Sequence, residues 1–344
     1  ILRRTTSWDR GLTPASHAWD TGVRPLSQVQ CIYVGGVIRL MAFYLLGDCI
    51  REQRERLGVT QEDLCEGICS VSTLSKIENG RQGMRLNQYI AIMERLGLPV
   101  EPLGVRVTSD EMYWYNIKRE IRHRLASQKG DVEELLDELK NCPIGMDNMT
   151  EQYITFVRAG LRREKAGFDD EMIELLLHAI HCTYRNFDIN QINSVKLLTT
   201  DEILIINCIA SVLRKQGKTM QAIMWQKFLK EYLEHSNADY DEIVNTYPLI
   251  LFNLSNLLME CKKYDEALEL CSTGIEYCNK HGKLNMFMQL LYNKSICLAE
   301  CGDKKQAAQF MTTAYIIAKA RGDEHRAAII DETFDEYKLD KLMP

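Results

Sequence analysis

Between Gln61 and Arg81 the chain gathers short polar side chains suited to reading a hydrogen-bonding surface. Ser70, Ser72 and Ser75 carry hydroxyls that donate or accept, and Val71 and Thr73 carry methyl groups. Leu74 and Ile77 lie three apart, so a helix that buries them leaves Ser72, Ser75 and Lys76 outward. That set can recognise base edges and backbone without making or breaking a bond. Glu78 fits this chemistry poorly, because phosphate repels a carboxylate.

Bond-making chemistry finds little support elsewhere. The seven histidines are dispersed, and His178 and His181 stand three apart with no carboxylate at ligand spacing along the chain, so they read as helix-packing residues and no metal is expected. A Gly-rich phosphate loop, a nucleophile elbow and a His-Glu-x-x-His pair are all missing, so an enzyme is not expected and no cofactor is called for. The twelve cysteines include no Cys-x-x-Cys pair and read as free thiols of a reducing cytoplasm. No apolar run approaches the ~18 residues of a membrane span.

The elements that must hold the polar set are short helices. Leu45, Leu46, Cys49, Ile50 and Leu57 stripe a first helix from Met41, and Gly58 ends it. Thr60 is an N-cap for the next, with Glu62 and Asp63 in its first turn; Ser70 or Ser72 caps the third, and Asn79-Gly80 stops it. A further helix runs to Gly97, and residues 98–110, with two prolines and a glycine, read as a linker. Residues 1–40 lack periodicity and read as an upstream or leader extension. The net charge of -6 gives no global attraction to nucleic acid, and residues 41–104 hold seven Lys/Arg against nine Asp/Glu. Any such contact must come from a local face.

The stretch "LGDCIREQRERLGVTQEDLCEGICSVSTLSKIENGRQ" resembles the helix-turn-helix of the Xre, phage-repressor-like class, one residue shorter than the common spacing between its second and third helices. The resemblance implies a five-helix lambda-repressor-like head over residues 41–97 whose third helix enters the major groove. It assigns Gln61, Lys76, Asn79 and Arg81 to the DNA backbone, and Ser70, Val71, Ser72 and Ser75 to base edges or nearby phosphates. It also implies that Glu78 pairs with Arg54 as a structural brace. A polar surface helix without a DNA role is the alternative.

Residues 111–344 are periodic and repetitive. Small residues twelve apart recur as Ala210/Ala222, Ser255/Ala267 and Ser295/Ala307, with a weaker copy at Gly160/Met172, and two 25-residue segments align at an offset of 40. Small residues let antiparallel helices approach, and the pattern resembles the tetratricopeptide repeat with a longer period. The whole is therefore expected to be all-α, a helix-turn-helix head followed by a right-handed superhelix of helical hairpins. This order resembles the Rgg- and PlcR-like regulators of Gram-positive bacteria, which implies a homodimer binding operator DNA under control of a short peptide. The repeat register directs Asn207, Arg214, Phe252, Asn256 and Tyr292 toward the groove, with Asn253 and Asn293 beside it; for each Asn a helix-packing hydrogen bond is the alternative. Two other functions stay open: a scaffold binding a protein partner, and a phage or antitoxin-type repressor whose body only dimerises.

Overall fold

The computed structural model describes residues 37–100, 107–127, 130–167, 169–192, 195–235, 241–284 and 286–341, and every regular element among them is helical apart from single turns. Four helices, α1 (Val37–Arg56), α2 (Gln61–Cys65), α3 (Val71–Glu78) and α4 (Leu86–Arg95), make the head. Next come α5 (Ser109–Ser127) and α6 (Glu133–Lys140), then the hairpins α7 (Asn148–Ala166)/α8 (Asp170–Thr183), α9 (Thr200–Lys215)/α10 (Thr219–His235), α11 (Asp241–Glu260)/α12 (Tyr264–His281) and α13 (Phe287–Glu300)/α14 (Lys304–Ala320). The last helix, α15 (Glu324–Tyr337), packs on α14.

Two expectations change. Residues 41–97 hold four helices rather than five, and the next helix, α5, starts inside the expected linker, at Ser109. Its reason is local, since the Thr108 hydroxyl accepts from Glu111 N (3.2 Å) while Glu111 Oε2 accepts from Thr108 N (2.8 Å), a reciprocal cap that starts the helix. Helix α1 starts at Val37 rather than Met41; the rest of the expected leader, residues 1–36, and positions 101–106 of the linker lie outside the described residues.

The head and the repeats belong to one packed unit, residues 42–344. Ile50, Leu64, Leu74, Ile77, Ile92 and Leu96 form the head core, and Met149 of α7 with Leu197 before α9 are buried in the same cluster. In the repeats the small residues do what the register requires. Ala210, Ala222, Ser255, Ala267, Ser295 and Ala307 are at most 1% exposed, and the Ser295 hydroxyl donates to Ala307 O at 2.7 Å. A Cβ on Gly274 would meet Leu290 Cδ1 at 2.7 Å, so an alanine there requires the Leu290 side chain to shift. The weakest copy is shifted by one: Ala159 is fully buried, whereas a Cβ on Gly160 would meet nothing within 4 Å.

Candidate nucleic-acid interface

Helix α3 is held by its own caps and by one buried carboxylate. Thr60 and Asp63 form a reciprocal capping box at the start of α2, and the Ser70 hydroxyl accepts from Thr73 N (3.1 Å) to start α3. At the other end Glu78 is 1% exposed and sits on the inner side of the helix. Its Oε1 accepts from Arg54 Nε (2.7 Å), and its Oε2 accepts from Arg54 Nη2 (3.1 Å) and Gln61 Nε2 (2.7 Å). Arg51 donates to the Glu78 carbonyl and, at 2.9 Å, to Asn79 Oδ1. The Glu78 hydrogen bond, opposed by burial and aided by the charge, raises the Arg54 pKa above its ordinary value.

This geometry redistributes the expected contacts. Gln61 has a partner inside the protein: a buried carboxylate needs several donors, and the Gln61 amide supplies one of them. Asn79 is exposed and bonded to its neighbours, accepting from Arg51 and donating to Ser75 O at 2.6 Å. Ser70 serves as the cap and pairs with the Thr73 hydroxyl at 2.9 Å. Outward on α3 and just past it stand Val71, 39% exposed, with Ser72, Lys76 and Arg81, while Ser75 is half-buried.

The turn between α2 and α3 rests directly on the repeats. A Cβ on Gly67, whose φ is +69°, would meet the Thr183 backbone at 2.3 Å, so only glycine permits this seat. Asn148 Nδ2 donates to Gly67 O at 3.1 Å, Lys196 pairs with Asp63 at 3.0 Å, and Asp147 accepts from Asn87. Burial pulls the Asp63 carboxyl upward, yet the bonds from Lys196 and Thr60 outweigh it and hold it below its usual range. A cleft of about 630 Å³ opens beside this seat, bounded by Glu62, Cys69, Val71, Asn148 and Arg185 among others.

Arg95 lies at the centre of the junction and is 2% exposed. Its Nη1 donates to Leu64 O (3.1 Å) and Glu66 O (2.7 Å), the carbonyls that end α2, and its Nη2 donates to Glu202 Oε1 (2.8 Å) at the start of α9. Glu202 is fully buried and also accepts from the Thr183 hydroxyl (2.6 Å) and Thr199 N (2.6 Å). Neighbouring Glu94 accepts from Thr200 N at 3.0 Å. The sequence signals half of this arrangement: Thr199-x-x-Glu202 is a capping box, but nothing along the chain shows that Arg95 reaches it from 107 residues away.

The expected groove set divides as well. Asn207, 6% exposed, accepts through Oδ1 from Gln226 Nε2 (2.8 Å) and Asn253 Nδ2 (2.7 Å). Asn293, 2% exposed, donates to Ser255 Oγ (2.9 Å) and Asn256 Oδ1 (2.8 Å). Both therefore bond between helices α9, α10, α11 and α13 instead of lining a free surface, because an amide in a close helix contact must be satisfied there. Arg214 pairs with Glu260, and the Tyr292 hydroxyl lies 2.9 Å from that of Thr333. Phe252, Asn253 and Asn256 on α11 are half-buried.

Two family models match, and in the order expected of the fold: a helix-turn-helix domain over residues 45–103 and an RNPP family C-terminal domain over residues 173–337. The chain is a helix-turn-helix regulator of the Rgg/PlcR type. This RNPP-type regulator matches no curated protein by sequence. Among solved structures it is similar to apo PlcR of Bacillus thuringiensis (16% identity, 84% of this chain and 98% of that one, TM-score 0.51). Apo ComR of Streptococcus vestibularis matches over 87% and 100% at 15% identity and TM-score 0.47, and PlcR in complex with the peptide PapR7 and DNA over 83% and 99% at 18% and 0.38. At these identities the likeness is one of fold. Among the described residues of the RNPP-type regulator, no helix is long and apolar enough to cross a membrane.

His181 and His178 differ in the fold as they do not in the sequence. His181 Nε2 lies 2.9 Å from Phe187 O, a packing role. His178 is exposed and faces Glu151 of α7, with Nε2 and Oε1 3.8 Å apart, so a carboxylate reaches it across the hairpin.

Proposed function

We propose that this chain is a cytoplasmic transcription regulator that reads a duplex operator with α3, as a homodimer, under control of a short peptide bound by the repeats. The carrying observation is the edge formed by Val71, Ser72, Ser75 and Lys76 on a helix braced from behind by Glu78, Arg54 and Gln61. Hydroxyls and a methyl group on one rigid helix can meet base edges, and Lys76 with Arg81 can meet phosphates. The brace removes the Glu78 charge from the DNA side. Ser70, Asn79 and Gln61 position that edge and do not themselves read DNA. Half-sites about one helical turn apart then call for two heads.

For the peptide, the half-buried side chains Phe252, Asn253 and Asn256 of α11 are the proposed contacts, with Arg214 and Tyr292 at the margin. An Asn amide offers a donor and an acceptor to a peptide main chain whatever its side chains. Control follows by linkage: helix α9 carries Asn207 within the repeats and Glu202 at its start, and Glu202 holds Arg95, which holds the end of α2. A peptide that prefers one packing of α9 against α11 changes the seat of the head, and operator affinity with it. DNA selected from a random-sequence pool should yield a two-fold symmetric consensus with the wild-type protein. Ser72→Ala with Lys76→Ala should abolish the sequence-specific mobility shift while the helical circular dichroism stays intact; an unchanged specific shift refutes the assignment of α3.

A further inference from the structure

The exposed corner where α7 begins and α8 ends carries a cluster that the proposed function does not use. Glu151 stands in the first turn of α7, His178 and Cys182 lie four residues apart on the last turns of α8, and their ligand atoms all lie within 4.8 Å of one another. His178 Nε2 is already 3.8 Å from Glu151 Oε1. The Cys182 thiol donates only to its own helix, to His178 O at 3.3 Å, so a rotamer change can release it.

The geometry points to a zinc site built from Glu151, His178 and Cys182, with water in the fourth position. The donor set selects the ion class. Thiolate, imidazole and carboxylate together suit Zn²⁺, whereas magnesium and calcium take oxygen alone. With metal–ligand distances of roughly 2.0–2.3 Å, the edges of a tetrahedral site are about 3.3–3.8 Å. The His178–Glu151 separation meets that already, and the longest separation closes by about 1 Å through side-chain rotation at an exposed corner. Coordination exchanges the thiol proton for the zinc–sulfur bond, so one proton leaves for each zinc bound.

The position gives the site a consequence. Asn148, one turn before Glu151, and Thr183, next to Cys182, are the two residues on which Gly67 of the head rests. Zinc would clamp the start of α7 to the end of α8 and stiffen that seat, a second input beside the proposed peptide.

Titration of untagged full-length protein with Co²⁺ as a spectroscopic stand-in should give one equivalent, with a thiolate-to-cobalt charge-transfer band and d–d bands of tetrahedral intensity. Cys182→Ser should lose the charge-transfer band. His178→Gln and Glu151→Gln should weaken zinc, measured against a chromophoric chelator, by more than about 100-fold, since loss of an outer-shell partner alone costs ~10–100-fold. Glu151 and His178 are exposed, so their variants keep the fold. A cobalt spectrum unchanged in Cys182→Ser, which would place the metal on other thiols, overturns the site, as does zinc affinity unchanged in both surface variants. Zinc should also slow amide exchange of residues 66–71 in the wild type and not in Glu151→Gln; equal exchange with and without zinc overturns the coupling to the head.

Discussion

Replacing Arg95 by alanine should loosen the head from the repeats, and the contacts give the size of the effect. The substitution leaves Glu202, fully buried, without its cation, and leaves the carbonyls of Leu64 and Glu66 without their donor. Breaking a buried ion pair from one side costs ~3–5 kcal/mol, and the orphaned carbonyls fall within that range because water entering the vacated space relieves part of their loss. Amide exchange at the end of α2 and the start of α9 should therefore accelerate on the order of 10²–10³-fold, with urea unfolding shifted in the same direction. Arg95→Met with Glu202→Gln removes both charges, keeps one oxygen to accept from Thr199 N and lets the new amide donate to the Thr183 hydroxyl, so most of the loss should return, to within about 2 kcal/mol of wild type. An Arg95→Ala cost below ~1 kcal/mol, or a double variant as unstable as the single one, refutes the reasoning that this pair closes the junction.

Glu78→Gln should destabilise the head by about 2–3 kcal/mol in chemical denaturation, because Arg54 loses a charged bidentate partner. Ala267→Leu should cost ~1–3 kcal/mol by overpacking a position with no exposed surface, read as a lowered melting temperature. Burial raises the Glu111 carboxyl, but the backbone N–H groups of Thr108 and Leu86 and the Thr108 hydroxyl together hold it below its ordinary value of 4.5. The charged form is thus the one favoured by folding, so its contribution is full above pH about 4.5 and fades as pH falls through the lower folded value. Glu111→Gln should accordingly destabilise at pH 7, and its difference from wild type should shrink in acid unfolding curves below pH 4.5. Asn256→Ala should weaken binding of the cognate peptide in fluorescence anisotropy, while Asn207→Ala should act mainly on stability, because its amide joins α9 to α10 and α11.

Local chemistry made much of the fold legible. Thr60, Ser70 and Thr199 are caps that a sequence reader can place, and the small residues twelve apart lie where helices meet. What stayed hidden is long-range satisfaction of polar groups. Gln61 has the right type and position for a phosphate contact, yet a carboxylate 17 residues away claims it. Asn207 and Asn293 read equally as ligand contacts or packing bonds, and only the neighbouring helices decide. The start of α5 inside the expected linker escaped because proline and glycine in residues 98–110 mask the Thr108–Glu111 cap. The pairing of His178 with Glu151 stayed hidden because that carboxylate comes from the paired helix.

The central claim, that α3 is the reading edge, is tested most directly by selecting DNA from one random-sequence pool with the wild type and with Ser72→Ala/Lys76→Ala. The account predicts a two-fold symmetric consensus for the wild type and none for the variant; the same consensus from both would contradict it.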